Sequence, residues 1–303
     1  MTIPLPLPDA GTVVTVGSFD GVHLGHMAVL REIAARAKAA SRASVLVTFE
    51  PHPMEIVNPA SAPLLLTTPV ERREVLAQSD LDYAVILRFD ERLRALAPED
   101  FIRYLGERLR LRELVIGEDH GFGRGRAGDV AMLQALGRDD GFAVDVVPPV
   151  KDPVAGIVSS SRIRTAIAHG DLTLARRMLG RPFTLSAVVA PGARRGRTIG
   201  VPTVNLPVPP RKALPPDGVY AVRVEWPGGM SGGMLNQGPR PTVGDVTRTI
   251  EAHLFDFDGD LYDAWVRIEW VERIRDIRHF ESLETLKTQL GADAKAARRI
   301  LEL

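Results

Sequence analysis

The chain has no cysteine in its 303 residues. That excludes disulfides, thiolate metal sites and a cysteine nucleophile, and it fits a cytoplasmic protein. An excess of charge is also missing. Lys+Arg and Asp+Glu number 38 each, and the sequence pI is about 7.1. No global basic field is therefore available for nucleic acid or an anionic membrane, and any anion site must be local. No segment approaches the roughly 18 apolar residues that span a bilayer. The N-terminal "MTIPLPLPDAG" has neither the basic region nor the apolar run of a signal peptide. There is no internal repeat, and no low-complexity tract beyond that proline-rich tail.

What is present is ordinary for a globular protein: 45% hydrophobic and 25% charged residues, in a length that suggests two domains. The first half alternates strand and helix patterns. "TVVTVG" (Thr12 to Gly17) is β-branched and apolar, as in a strand buried on both faces, and Met27 to Ala40 reads as a helix. "SVLVTF", "YAVILRF", "ELVIG" and "FAVDVVP" read as further strands. "PVERREVLAQS", "PEDFIRYLGERL" and "DVAMLQALG" read as helices between them. This order predicts a parallel sheet with helices on both faces. Two more helices follow, "SSRIRTAIAHG" and "DLTLARRMLG", the second capped by Asp171 and ended by Gly180. From Pro182 the pattern changes to short strands separated by Gly and Pro: "TLSAVVA", "GVYAVRVEW", "TIEAHLFDF" and "LYDAWVRIEWVE". They predict a small antiparallel barrel or sandwich. Helical segments Ser282 to Leu290 and Ala292 to Leu303 close the chain, and the domain boundary is expected near Arg181–Pro182.

The stretch "VGSFDGVHLGH" (Val16 to His26) stands where the first strand meets the first helix, the edge of a parallel sheet at which ligands bind. Gly17, Gly21 and Gly25 permit tight turns and close approach. His23 and His26, three apart, fall on one face of the entering helix, whose N-terminus favours anions. A plain turn, a metal-binding histidine pair and a phosphate cradle all remain open on these residues alone. The Gly-Lys-Ser/Thr of a P-loop is absent, so this is not one.

"GSFDGVHLGH" resembles the His-x-Gly-His signature of the nucleotidyltransferase superfamily, and "SSSRIR" (Ser159 to Arg164) resembles its second signature, with Ser161 in place of the usual threonine. "FEPHP" (Phe49 to Pro53) and "GEDHGFGRGRAGD" (Gly117 to Asp129) resemble the FMN adenylyltransferase domain of bacterial bifunctional riboflavin kinase/FAD synthetases. Ser18 stands where that family commonly has Asn, and His120 where it commonly has Phe. The resemblance implies a Rossmann-like domain over residues 1–181 in which FMN's phosphate attacks the α-phosphorus of ATP and pyrophosphate leaves. It implies that His23, His26 and Arg164 are catalytic. Gly17, Phe19, Gly25, Ser159, Ser160 and Ser161 would hold ATP, and His52, Asp119, Phe122 and Asp129 the flavin.

"GARRGRTIGVPTVNLP" (Gly192 to Pro207) taken alone is a basic loop, but it resembles the ATP and Mg²⁺ loop of riboflavin kinases. "PDGVYAVRV", "NQGPRPTVG", "IEAHLFDFDGDLY" and "RDIRHFESLETLKTQL" follow in that family's order. The resemblance implies a kinase barrel over residues 182–303. In it Glu251 would be the base for riboflavin's 5′-hydroxyl, and Thr203 and Asn205 neutral oxygen ligands for Mg²⁺. Gly192, Gly196, Arg197 and Gly200 would lie at ATP, and Asn236 and Arg275 at the flavin. Ile277 replaces the family's acidic residue, which removes one partner for a local ion pair, and Pro191 replaces a common histidine. Trp226, Trp265 and Trp270 read as packing residues at strand spacing. Asp256, Asp258 and Asp260 lack the remaining ligands of a calcium loop and read as a turn. The expected function is phosphorylation of riboflavin to FMN followed by adenylation to FAD, with riboflavin, FMN and ATP as small-molecule partners and no nucleic acid or membrane. The rivals are a riboflavin kinase whose N-terminal domain serves another substrate or has lost its activity, and a flavin-binding regulator.

Overall fold

The computed structural model describes residues 6–118, 130–191, 203–240 and 245–303. The chain forms two compact units, one of residues 1–65 and 72–160, the other of residues 66–71 and 161–303.

The first unit is built on five parallel strands in the order β3-β2-β1-β4-β5. These are β1 (Thr12–Val16), β2 (Ala43–Glu50), β3 (Tyr83–Arg88), β4 (Leu111–Gly117) and β5 (Ala143–Val147). Between them lie α1 (Leu24–Ala39), α2 (Pro53–Val57), α3 (Pro69–Leu76) from Arg72 on, α4 (Glu91–Ala95), α5 (Pro98–Leu109) and α6 (Val130–Asp140). The alternation of a strand explains the two-sided covering. Val14 and Val16 of β1 pack with Phe101, Ile102, Leu105 and Leu109, the apolar stripe of α5. Val13 packs on the other side with Leu30, Ile33 and Ala37 of α1. α5 coincides with its sequence expectation because its ends are explicit: Pro98 stands in the first turn and Arg110 caps the other end in the left-handed region at φ 52°. α1 begins three residues before the Met27 expected, because the side chain of His23 serves as its N-cap. A small ribbon, β6 (Lys151–Asp152) with β7 (Gly156–Ile157), follows the sheet.

The second unit holds α7 (Ser160–Ala168) from its second residue on, then α8 (Leu172–Leu179), capped by Asp171 and ended by Gly180 at φ 74°. A six-stranded antiparallel sheet follows in the order β8-β13-β10-β11-β12-β9. Its strands are β8 (Thr184–Val188), β9 (Val204–Leu206), β10 (Gly218–Trp226), β11 (Gly229–Arg240), β12 (Asp245–Leu254) and β13 (Trp265–Arg275). Ala190, just beyond β8, bridges to Asn205 of β9, which joins the two ends of the sheet into a barrel.

The sequence reading had no strand at β11, because "GMSGG" lacks the residues that favour strands. Its glycines have a packing reason. A Cβ on Gly233 would lie 2.4 Å from the carbonyl oxygen of His253, and one on Gly232 would lie 2.4 Å from Leu303. The two expected terminal helices are one, α9 (Leu283–Leu301), running through Gly291. Its stripe of Leu290, Ala294, Ala297 and Leu301 packs on Ala221, Met234 and Phe255. That tertiary burial exceeds the cost of about 1 kcal/mol for one helical glycine.

Two of the three tryptophans pack as expected: Trp270 is buried beside Phe183, and Trp226 meets Phe257 edge-on. Asp256 is ion-paired through both oxygens with Arg298 of α9, at 2.8 and 2.9 Å.

One polar cluster lies inside the second unit. Lys212 Nζ donates to Glu71 Oε2 at 2.6 Å and to the Leu66 carbonyl at 2.8 Å. Glu71 also accepts the backbone N–H groups of Ser186 and Thr68, each at 2.8 Å. Both side chains are almost completely buried, and the ammonium sits 4.6 Å from the centre of the Phe183 ring. The Arg181 guanidinium is lowered to about 10 by its own burial, with the Glu71 carboxylate opposing the shift.

Candidate functional site

In the first unit the glycine-rich stretch forms the turn from β1 into α1. Gly21 takes φ 81°, and Phe19 and Val22 also stand at positive φ, 48° and 37°. The backbone therefore doubles back tightly before the helix. His23 Nδ1 accepts the backbone N–H of His26 at 3.2 Å. An Nδ1 that accepts leaves the proton of the neutral ring on Nε2, which makes Nε2 a donor. The two imidazoles stack with centroids 3.7 Å apart, and His26 lies 4.6 Å from the Phe19 ring. Gly25 suits this stack, since a Cβ there would come within 3.1 Å of the His23 ring and push on it. Gly17 is similarly close to the Phe19 ring, at 3.0 Å. The predicted pair thus forms one rigid block at a helix N-terminus, and among the described residues no group of three His, Cys, Asp or Glu is placed to hold a metal.

Ser160 joins this block, its hydroxyl donating to the Asp20 carbonyl at 2.9 Å. The second signature is thereby tied to the first through 140 residues of intervening chain. Ser159 precedes α7, and Ser161 and Arg164 lie on it. His52 caps α2 in a capping box with Glu55, which fixes the chain just after β2. Asp119, His120, Phe122 and Asp129 lie outside the described residues.

Sequence reasoning missed one residue here. Arg72 of α3 is buried, with 8% of its side chain exposed. It donates through Nη1 to the Ser18 carbonyl at 3.0 Å and through Nη2 to the Phe49 carbonyl at 2.9 Å. The Thr48 hydroxyl also donates to the Ser18 carbonyl, at 3.1 Å. Burial lowers the Arg72 guanidinium below its ordinary value, partly opposed by Glu50 and Asp20. The available signal was periodicity: Glu71 and Arg72 stand one turn before Val75 and Leu76, so two charges occupy the inward face of a short helix.

In the second unit the register gathers the predicted kinase residues. Asn205 of β9 lies opposite Glu251 of β12, and Glu251 lies opposite Asn236 of β11. Asn236 is opposite Val219 of β10, and Val219 is opposite Arg275 of β13. Directly paired residues face the same side of a sheet, so Asn205, Glu251, Asn236 and Arg275 form a single row across five strands. Beside the Asn205 end lies a cavity of about 430 Å³, lined by Thr203, Val204, Leu254, Phe257, Leu261 and Tyr262 among others. Gly192, Gly196, Arg197 and Gly200 are outside the described residues.

Arg275, expected at the flavin, is held by a carboxylate of another element. Nε and Nη2 donate to Asp293 of α9 at 2.7–3.1 Å, and the guanidinium carbon stands 5.7 Å from the Phe280 ring. Asp293 supplies Arg275 with an ionic partner although position 277 carries isoleucine.

Family models match both halves: one described as FAD synthetase over residues 6–162, and one described as riboflavin kinase over residues 179–301. The class is therefore a nucleotidyl-transfer domain followed by a kinase barrel on one polypeptide. The bifunctional riboflavin kinase/FMN adenylyltransferase of Pseudomonas fluorescens is 40% identical over 96% of this chain and 93% of its own. The protein of the same description from Escherichia coli K12 is 38% identical over 98% and 95%. The chain belongs to the bifunctional riboflavin kinase/FMN adenylyltransferase family. A crystal structure described as a macrolide-efflux protein from Streptococcus pneumoniae matches with a TM-score of 0.84 and 32% identity, covering 98% of each chain. Among the described residues, no helix of this chain is long and apolar enough to cross a membrane.

Proposed function

We propose that this enzyme phosphorylates riboflavin to FMN in its C-terminal barrel and adenylates FMN to FAD in its N-terminal domain, using ATP for both. Family membership over nearly the whole chain supports the pair of activities. The observation that carries the site assignment is the row of Asn205, Glu251 and Asn236 on adjacent strands. We assign residues 1–181 to adenylyl transfer and 182–303 to the kinase.

In the kinase, Glu251 takes the proton of riboflavin's 5′-hydroxyl. The oxygen bonds to the γ-phosphorus of ATP, and the bond to the β-phosphate oxygen breaks to release ADP. Asn236 and Arg275 border the flavin, Arg275 with its orientation set by Asp293. The adjoining cavity takes the nucleotide, with the Gly192–Gly200 loop at its phosphates. Thr203, which lines that cavity, and Asn205, next to its lining residue Val204, offer hard neutral oxygens that fit Mg²⁺, which would offset phosphate charge.

In the adenylyltransferase, a phosphate oxygen of FMN attacks the α-phosphorus of ATP and pyrophosphate leaves. No protein nucleophile is needed. His23 and His26 donate to the phosphates, while Ser159, Ser160, Ser161 and Arg164 hold the leaving pyrophosphate. Gly17, Phe19 and Gly25 bring backbone to the nucleotide, and His52, Asp119, Phe122 and Asp129 border the flavin. The absence of cysteine is compatible with a cytoplasmic enzyme.

Incubating the protein with ATP, Mg²⁺ and riboflavin tests both activities. FMN should form first and FAD after it. FMN without FAD would refute the bifunctional reading, and flavin binding without turnover would refute both activities.

A further inference from the structure

Arg72 is a buried cation with no tight counter-ion. Among the described residues the carboxylate nearest it is Glu50, at 3.8 Å, which is itself 38% exposed and shared with Arg73 at 3.1 Å. Its two terminal nitrogens bond carbonyl oxygens, and its Nε is buried without a hydrogen-bond partner. Such a group costs stability, because desolvation is offset only by neutral acceptors. An apolar side chain would avoid that desolvation but would take a donor from the Ser18 and Phe49 carbonyls, so stability alone does not call for a charge here.

Its two acceptors do account for it. Ser18 lies in the turn after β1 that carries Phe19 and leads to His23. Phe49 lies at the end of β2, directly before the Glu50-Pro51-His52 segment. The guanidinium, with its flat fork of donors, spans the loop that leaves β1 and the end of β2, at the carboxyl edge of the sheet. In a trans peptide the C=O and N–H point in opposite directions. Drawing the Ser18 carbonyl onto Arg72 therefore turns the Phe19 N–H away from it. The Thr48 hydroxyl holds the same carbonyl, so the peptide is pinned by two donors.

We propose that Arg72 is a positioning residue of adenylyl transfer. It sets the Ser18–Phe19 peptide and registers the first loop against the flavin-side loop after β2. Its charge, only loosely matched by Glu50 and Asp20, lies beneath a turn that receives polyphosphate, where a positive potential favours the transition state more than it favours folding. The proposal rests on the adenylyltransferase reading of this domain.

The test uses the full-length protein with Arg72→Met and Arg72→Lys, measuring FAD formation from FMN, FMN formation from riboflavin, and the thermal midpoint. The expected result for Arg72→Met is a loss of about 100-fold in kcat/KM for FAD formation, the scale of a misplaced reacting geometry. FMN formation should persist. Arg72→Lys keeps the charge but reaches only one carbonyl at a time. It should recover part of the loss in KM for ATP and little in kcat.

Three results would overturn the proposal: Arg72→Met within twofold of the parent, both activities falling together, or a loss in both variants that merely tracks the folded fraction. An unmodified protein that makes no FAD would instead refute the adenylyltransferase reading itself, so the two failures are distinguishable.

Discussion

Replacing Lys212 by Met removes one charge of the buried pair in the second unit and keeps most of the side-chain volume. The pair is 1% and 3% exposed with an N–O separation of 2.6 Å. At an effective dielectric of about 20 the attraction at that distance is about 6 kcal/mol. Most of it is offset by the desolvation of both ions. The substitution forfeits the attraction and keeps the cost for Glu71, which retains two backbone donors, Ser186 and Thr68. A loss of about 3–5 kcal/mol is therefore expected.

For a unit of this size each kcal/mol moves the midpoint by about 2–4 °C, so the kinase unit should melt roughly 10 °C earlier. The assay is thermal unfolding followed by circular dichroism, with riboflavin phosphorylation measured across the same temperatures. Two units on one chain do not unfold in one step, and the activity trace identifies the transition that belongs to the kinase. Glu71→Leu with Lys212→Met removes both charges and should be less destabilising than the sum of the single changes, with a coupling of at least about 2 kcal/mol. A Lys212→Met shift below about 2 °C would refute the reasoning, as would strict additivity. Either result would mean that water, or the Arg181 guanidinium whose charge already acts on Glu71, compensates the carboxylate once Lys212 is gone.

Glu251→Gln should lower FMN formation by at least about 100-fold while riboflavin still binds, measured by turnover and by quenching of flavin fluorescence; unchanged turnover removes Glu251 as the base. His26→Ala should reduce FAD synthesis by about 100-fold or more and leave riboflavin phosphorylation intact, and equal loss of both contradicts two separate sites. Gly233→Ala forces a methyl to within 2.4 Å of the His253 carbonyl oxygen. It should cost about 1–3 kcal/mol in urea unfolding, whereas alanine at Gly291, where a Cβ meets nothing, should be neutral or stabilising.

Where the sequence was readable, one residue type served one structural purpose. β10 spans the residues of its own motif because β-branched and aromatic residues alternate there up to the Pro227–Gly228 turn. β11 was unreadable because its glycines answer to neighbours, His253 and the C-terminal leucines, that lie far along the chain. Gly291 misled in the opposite sense: it looks like a stop, but the apolar stripe on either side of it shares one surface.

The site divides along the same line. The motifs named His23, His26, Glu251, Thr203 and Asn205, because the roles proposed for them fall on short stretches of contiguous sequence. Arg72, Glu71, Lys212 and Asp293 touch other parts of the protein, and partners distant in sequence leave no local pattern. A charge on the inward face of a short helix is the trace such residues do leave. In α3 that trace is doubled, since Glu71 turns to Lys212 and Arg72 to the Ser18 and Phe49 carbonyls. Adjacent residues on one helical turn thus serve a buried ion pair and the loop proposed for adenylyl transfer. Reversing them, Glu71→Arg with Arg72→Glu, conserves composition and net charge, yet it should abolish FAD synthesis and destabilise the kinase unit together.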